Sequence, residues 1–177
     1  MIKLERFDEF SYDTLISWVD SEEALMQFAG PLFIFPLTCE QLANSNKDPR
    51  RHSFKVISLE TGEMIAHAEI FVMESVARFG RILIGDEKLR GKGIGQEIIK
   101  QLLEYTINVL NQSKVDLLVF DWNIHAIKCY EKVGFIVNPE IRYERKVKGE
   151  TWIALNMALG NENLNKRTES SMSLNGD

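Results

Sequence analysis

The chain has 177 residues, 45% hydrophobic and 27% charged, with a formal net charge of -5. That is one domain's worth of sequence, long enough to bury a substantial core. Its acidic balance gives no electrostatic reason to expect nucleic acid or an anionic membrane as partner.

The first residues, MIKLERFDEF, are charged and lack the apolar stretch of a signal peptide, so none is expected. No apolar run reaches the ~20 residues of a membrane span. Cys39 and Cys129 stand far apart in no metal-ligand spacing, which fits a reducing cytoplasm better than a disulfide scaffold. IKLERF alternates apolar and polar residues and predicts a strand. Ser11 is placed to cap a helix over YDTLISWVD, with Leu15, Trp18 and Val19 on one face. Ser21 caps a second helix, SEEALMQFAG, with two acids in its first turn. GPLFIFP reads as a buried loop or short strand, and Thr38 caps a third short helix, CEQLANSN.

From Ser53 the texture changes. SFKVISLE, MIAHAEIFVME and ARFGRILI predict three strands in a meander, with the first turn at Thr61-Gly62. Residues 94–112 form the clearest helix, with Ile94, Ile98, Ile99, Leu102, Leu103, Ile107 and Leu110 on one face. VDLLVFDW has strand length, HAIKCYEKV is a short helix stopped by Gly134, and EIRYERKVKGETWIALNMAL reads as a hairpin turning at Gly149-Glu150. The fold expected is α+β: residues 1–160 as a single domain, a mixed, mostly antiparallel central sheet with helices on both faces. Residues 161–177 read as a polar, disordered tail.

RGKGIG, residues 90–95, lies between a strand and the long helix. A P-loop needs G-x-x-x-x-G-K-[ST], and neither the spacing nor the hydroxyl is present. A dinucleotide fingerprint needs G-x-G-x-x-G, and the third glycine is missing from either register. What remains is a bare, positive loop opening a helix, suited to a diphosphate that is held and not cleaved. A glycine-rich turn that merely starts a helix is the bland alternative.

RGKGIG with its helix, then LLVFDW, then NIHAIKCYEKVGF, resembles the GNAT N-acetyltransferases. The family's pyrophosphate loop, Q/R-x-x-G-x-G/A, is matched by Arg90, Gly93 and Gly95. Its second signature is matched by Asn123, Ala126, Tyr130, Gly134 and Phe135. The resemblance covers roughly residues 53–159; the first fifty residues and GETWIALNMAL are similar to the branch holding ribosomal-protein N-terminal and small-amine acetyltransferases.

The resemblance implies acetyl-CoA as cosubstrate and no metal. It places the coenzyme between two splayed parallel strands, RILI and LLVFDW. Ile82, Leu83 and Ile84 would meet the pantetheine arm, the loop Arg90, Gly91, Lys92, Gly93, Ile94, Gly95 the diphosphate, and Asn123 the coenzyme arm. It implies direct attack of a primary amine in a ternary complex, the acceptor being a small molecule or a protein N-terminal amine. A second copy of the chain is a candidate partner. Tyr130, by its motif position, is the expected proton donor to the leaving thiolate and a coenzyme contact. Many members carry a glutamate on the strand before the glycine loop, and RILIG has none. That leaves Glu69, Asp86 and His67 as base candidates, and an acyl-CoA-binding sensor as the alternative function. Trp18, Phe33 and Phe35 are expected to line the acceptor pocket or join the core.

Overall fold

Strand β1 (Ile2–Arg6) leads into three short helices, α1 (Tyr12–Ser17), α2 (Glu22–Ala29) and α3 (Cys39–Asn46). The meander β2 (Arg51–Ser58), β3 (Met64–Val72) and β4 (Ala77–Ile84) follows. Then come α4 (Ile94–Asn108), β5 (Val115–Phe120), α5 (Ile124–Val133) and a closing pair, β6 (Phe135–Val147) and β7 (Glu150–Leu159). The computed structural model describes residues 1–159, so the expected tail lies outside them. One seven-stranded sheet runs in the order β1-β2-β3-β4-β5-β7-β6. Every neighbouring pair is antiparallel except β4–β5, which is parallel. This is the mixed, mostly antiparallel sheet expected, with helices on both faces.

Each face has its own core. On one, α4 buries Ile98, Ile99, Leu102 and Leu103 completely against Phe79, Leu117, Phe135 and Met157. Each such side chain contributes about 1.5–3 kcal/mol on leaving water. On the other, Leu15, Leu25, Phe28 and Leu42 from the first three helices gather over Phe7, with Met64 and Leu83 from the sheet packed beside them.

Local chemistry sets the ends of most helices. Ser21 accepts the Ala24 amide at 3.2 Å, and Thr38 accepts the Gln41 amide at 3.2 Å. Gly134 closes α5 at φ 106, the left-handed conformation that suits a residue without a Cβ. Three expectations are corrected. Ser11 does not cap α1; its hydroxyl donates to the Asp8 carboxylate at 3.1 Å, because α1 grows directly out of a 3-10 turn, Glu9–Ser11. GPLFIFP is not a buried element: Leu32, Ile34 and Phe35 are exposed. Gln41 holds this loop, accepting the Ile34 amide and donating to the Ile34 and Pro36 carbonyls. The last hairpin turns one residue early, at Lys148-Gly149, where φ is 47 and 86. Both central residues left-handed is the type I′ hairpin loop, and Glu150 already belongs to β7.

Candidate active site

Strands β4 and β5 pair at Ala77–Val115, Arg78–Asp116 and Phe79–Leu117, and at no later position. Both continue, β4 to Ile84 and β5 to Phe120. Beyond Phe79 the edge of β4 facing β5 therefore carries backbone groups with no strand partner, including those of Ile82, Leu83 and Ile84. A backbone group away from water needs a partner, so this wedge can take an extended polar chain between its arms.

The glycine loop lies just past the open end of β4. Gly91 and Gly93 have φ of 76 and 84, and an added Cβ at either would meet nothing within 4 Å. Their need for glycine is conformational: a left-handed backbone turns the chain into α4. The first amide–carbonyl bond of that helix runs from Glu97 to Gly93. The amides of Ile94, Gly95 and Gln96 precede it and point out of the helix start, where the dipole favours an anion. Arg90 is half exposed and holds Glu87 at 2.8 Å. Surface pairs of this kind have small net worth, so an incoming diphosphate can take the guanidinium. Lys92 is exposed beside it. Gly95 differs from the other two: a Cβ there would stand 3.0 Å from the Cys129 sulfur, so this glycine lets α4 and α5 close together.

Asn123 caps α5, the helix that follows β5, and Tyr130 lies within it. The Asn123 carboxamide oxygen accepts the Ala126 amide at 3.3 Å as the helix cap, which leaves its amide nitrogen for a ligand. Tyr130 is half-buried and packs near Phe135, with ring centroids 6.3 Å apart. Burial pushes its phenol well above the usual value, and the neighbouring Cys129 adds to the shift.

The opposite face of the wedge holds the base candidates. Between the pairs His67–Leu83 and Glu69–Gly80, β4 carries one extra residue. This bulge turns Arg81 at φ 50, a conformation that strains a side-chain-bearing residue. Its guanidinium thereby reaches the buried Glu69 at 3.0 Å, while Arg51 holds the other carboxylate oxygen at 2.6 Å and Ser53 donates a further bond. Burial pulls Arg81 down to about 10, opposed by Glu69, so it stays charged at neutral pH. The Phe33 ring covers it at 4.4 Å. His67 is buried between the Phe7 and Phe28 rings, its Nδ1 bonded to the Arg81 carbonyl at 2.8 Å. Burial lowers its pKa to about 4. Asp86 is exposed and accepts the Lys88 amide at 2.8 Å in the turn after β4.

Ile82–Ile84 thus lie on the unpaired end of β4 and residues 90–95 open α4 just after it, while Asn123 and Tyr130 come with α5, which follows β5, and Glu69 and His67 sit in the opposite sheet face. Trp18 packs its ring directly over Gly85, where an added Cβ would lie 2.1 Å from the indole. Phe35 is partly exposed, in the loop that Gln41 pins. Arg81, Trp122 and Trp152 escaped the sequence reading. Arg81 carries no local signal, because a bulge shows only in the register of two strands. The two tryptophans were read as parts of the strands VDLLVFDW and GETWIALNMAL; β5 ends at Phe120, so Trp122 stands in the turn after it. Among the described residues no group of three or more His, Cys, Asp or Glu side chains could hold a metal ion.

The family model "Acetyltransferase (GNAT) family" matches residues 17–135. The spermine/spermidine N(1)-acetyltransferase of Bacillus subtilis (strain 168) is 34% identical over 58 residues, 33% of this chain and 38% of that protein. The spermidine N(1)-acetyltransferase of Escherichia coli (strain K12) is 32% identical over 100 residues, 56% of this chain and 53% of that one. The chain therefore spans only 38% and 53% of the lengths of these two relatives. Spermidine N-acetyltransferase from Vibrio cholerae, solved in complex with CoA and spermine, shares the fold with a TM-score of 0.75 at 21% identity, covering 92% of this chain and 97% of that one. With two thirds of its length under one family model and its strand wedge and glycine loop in place, this chain belongs to the acetyltransferase (GNAT) family.

Proposed function

We propose that the chain is an N-acetyltransferase that moves an acetyl group from acetyl-CoA to a primary amine of a small polycation of the spermidine class. The observation that carries the coenzyme reading is the end of β4–β5 pairing at Phe79–Leu117, with the glycine-opened start of α4 just beyond it. The residues present fit the cosubstrate: Ile82, Leu83 and Ile84 offer backbone to its arm, Arg90 to Gly95 offer amides and charge to its diphosphate, and Asn123 offers an amide nitrogen. The acceptor class rests on the relatives' names, which favour small polyamines over protein amino termini.

In the transfer a C–N bond forms to the thioester carbon while the C–S bond breaks. The amine loses a proton and the departing thiolate gains one. Tyr130 is the proposed donor, since burial keeps its hydroxyl protonated. Of the carboxylates, Glu69 is committed to Arg51 and Arg81, whereas Asp86 stands open to water at the end of β4. Asp86 is therefore the proposed acceptor of the amine proton, acting through water. Cytoplasmic residence is part of the same proposal, supported by two free cysteines.

A coenzyme-thiol release assay over a panel of polyamines, monoamines, amino acids and N-terminal peptides tests this reading. Turnover is expected with polyamines ahead of peptides. Coenzyme binding with no transfer to any amine would return the sensor alternative.

A further inference from the structure

Phe120, Trp122 and Trp152 form a three-ring corner at the mouth of the β4–β5 wedge. Phe120 and Trp122 lie parallel, 3° between planes and 5.8 Å between centroids. Trp152 stands nearly perpendicular to both, at 79° and 76°, with centroids 5.1 Å away in each case. Each ring packs against the other two. Trp122 is nonetheless 45% exposed. An indole packed on two other rings and open to water offers a flat apolar face to a ligand.

The side of the sheet follows from alternation. Val115, Leu117 and Val119 of β5 enter the core under α4 and α5, so Phe120 faces the other way. Leu155, Met157 and Leu159 of β7 enter the same core, so Trp152 also faces away from it. The corner therefore stands on the face opposite the glycine loop's helix, at the end of the β5 arm. The β4 arm ends on the same face with Trp18 lying over Gly85. An acceptor approaching the wedge from this side passes between aromatic walls.

The charges on this face sharpen the reading. Glu69 is held by Arg51 and Arg81, Asp116 by Arg78 at 2.6 Å, and Glu23 by Lys148 at 2.6 Å. These carboxylates already have cations. Arg145, paired across the hairpin from Trp152, turns its guanidinium onto Tyr143 at 5.5 Å. The indoles add faces of negative potential to this side, and the face of an indole is the strongest π partner for a cation. The chemistry of the transfer favours such a partner. The reacting nitrogen must be neutral while the remote nitrogen stays charged; a ring face attracts the remote ammonium and the alkyl chain without drawing on the proton that Asp86 takes through water.

We infer that the Phe120–Trp122–Trp152 corner is the acceptor-recognition site, taking the remote ammonium and methylene chain of an alkyl polyamine against its indole faces. This deepens the proposed function and rests on it. Steady-state kinetics of Trp122→Leu, Trp152→Leu and Trp122→Phe, each with spermidine and with a monoamine of similar length, test it. Calorimetry of spermidine binding to the resting protein runs beside them. For both leucine variants the spermidine KM should rise roughly tenfold, the scale of a lost cation–π contact. The monoamine KM should rise several-fold less, since it shares the alkyl chain but not the remote ammonium; kcat and coenzyme affinity should change little, and Trp122→Phe should recover most of the loss. Equal changes for both amines, or none, would overturn the inference while leaving acetyl transfer intact. Should the protein acetylate no amine, the transfer reading fails, and calorimetry still decides the corner: spermidine must bind the wild type and bind the leucine variants at least several-fold more weakly.

Discussion

A phenol that donates a proton must first hold one. Burial does this for Tyr130, raising its pKa with a further push from Cys129. Two outcomes follow. The pH dependence of kcat should show no alkaline fall from tyrosine ionisation below about pH 10, the ordinary phenol value. Tyr130→Phe should lower kcat about a hundredfold, near the lower end for a lost general acid, because a coenzyme thiolate leaves readily by itself. The KM for acetyl-CoA should barely move, since the proton is given only as the C–S bond breaks. Unchanged turnover in the phenylalanine variant would reduce Tyr130 to a packing residue. Glu69 presents the opposite case. Its strand position made it a candidate base, but a carboxylate shared between two arginines at 2.6 and 3.0 Å has its lone pairs engaged.

Among the elements, the junction of α1 with the end of β4 is set by one glycine. A methyl group at residue 85 would lie 2.1 Å from the Trp18 ring, and a bulky, half-buried indole cannot yield that distance without moving α1. Gly85→Ala should destabilise the fold by about 1–3 kcal/mol, the usual cost of overpacking. It should also raise the acceptor KM while leaving coenzyme affinity intact, because Trp18 lies on the proposed acceptor face. Denaturant unfolding alongside the two binding measurements checks this. Much at this scale was legible in the sequence. Thr38, Ser21 and Gly134 carry their signals in the residue itself, and the apolar stripe of α4 repeats over four turns. The wedge was legible only through its motifs, RGKGIG and NIHAIKCYEKVGF. The Arg81 bulge was not, since it depends on how β4 aligns with β3. Nor was the exposure of GPLFIFP, whose apolar composition concealed a loop pinned by Gln41. The Ser11 error has a similar root: a capping residue type says nothing about a preceding 3-10 turn that already supplies the carbonyls.

For the molecule as a whole, acid stability and coenzyme capture are the telling properties. His67 has its pKa lowered by burial from 6.5 to about 4. The unfolded chain therefore binds a proton that the folded chain refuses between those values. This contribution to stability is whole above pH 6.5 and is lost as pH falls toward 4, reaching about 3 kcal/mol across the window. Asp48, lowered to about 2 mainly by its bonds to Arg50, acts in the more acid range below 3.8. Unfolding free energies measured from pH 7 to 4.5 should fall steeply for the wild type and less so for His67→Phe; parallel curves would remove His67 as the cause.

The central claim is that the wedge between β4 and β5, with the glycine loop at its end, holds acetyl-CoA. Calorimetric titration of the wild type and Gly93→Val with coenzyme A tests it most directly. Gly93 sits at φ 84, where valine is strained, and its surroundings are open, so the variant should fold while losing the loop's shape. One coenzyme should bind each wild-type chain, and affinity should collapse in a variant whose circular dichroism is unchanged. Absence of binding to the wild type, or equal affinity in the two proteins, would contradict the assignment.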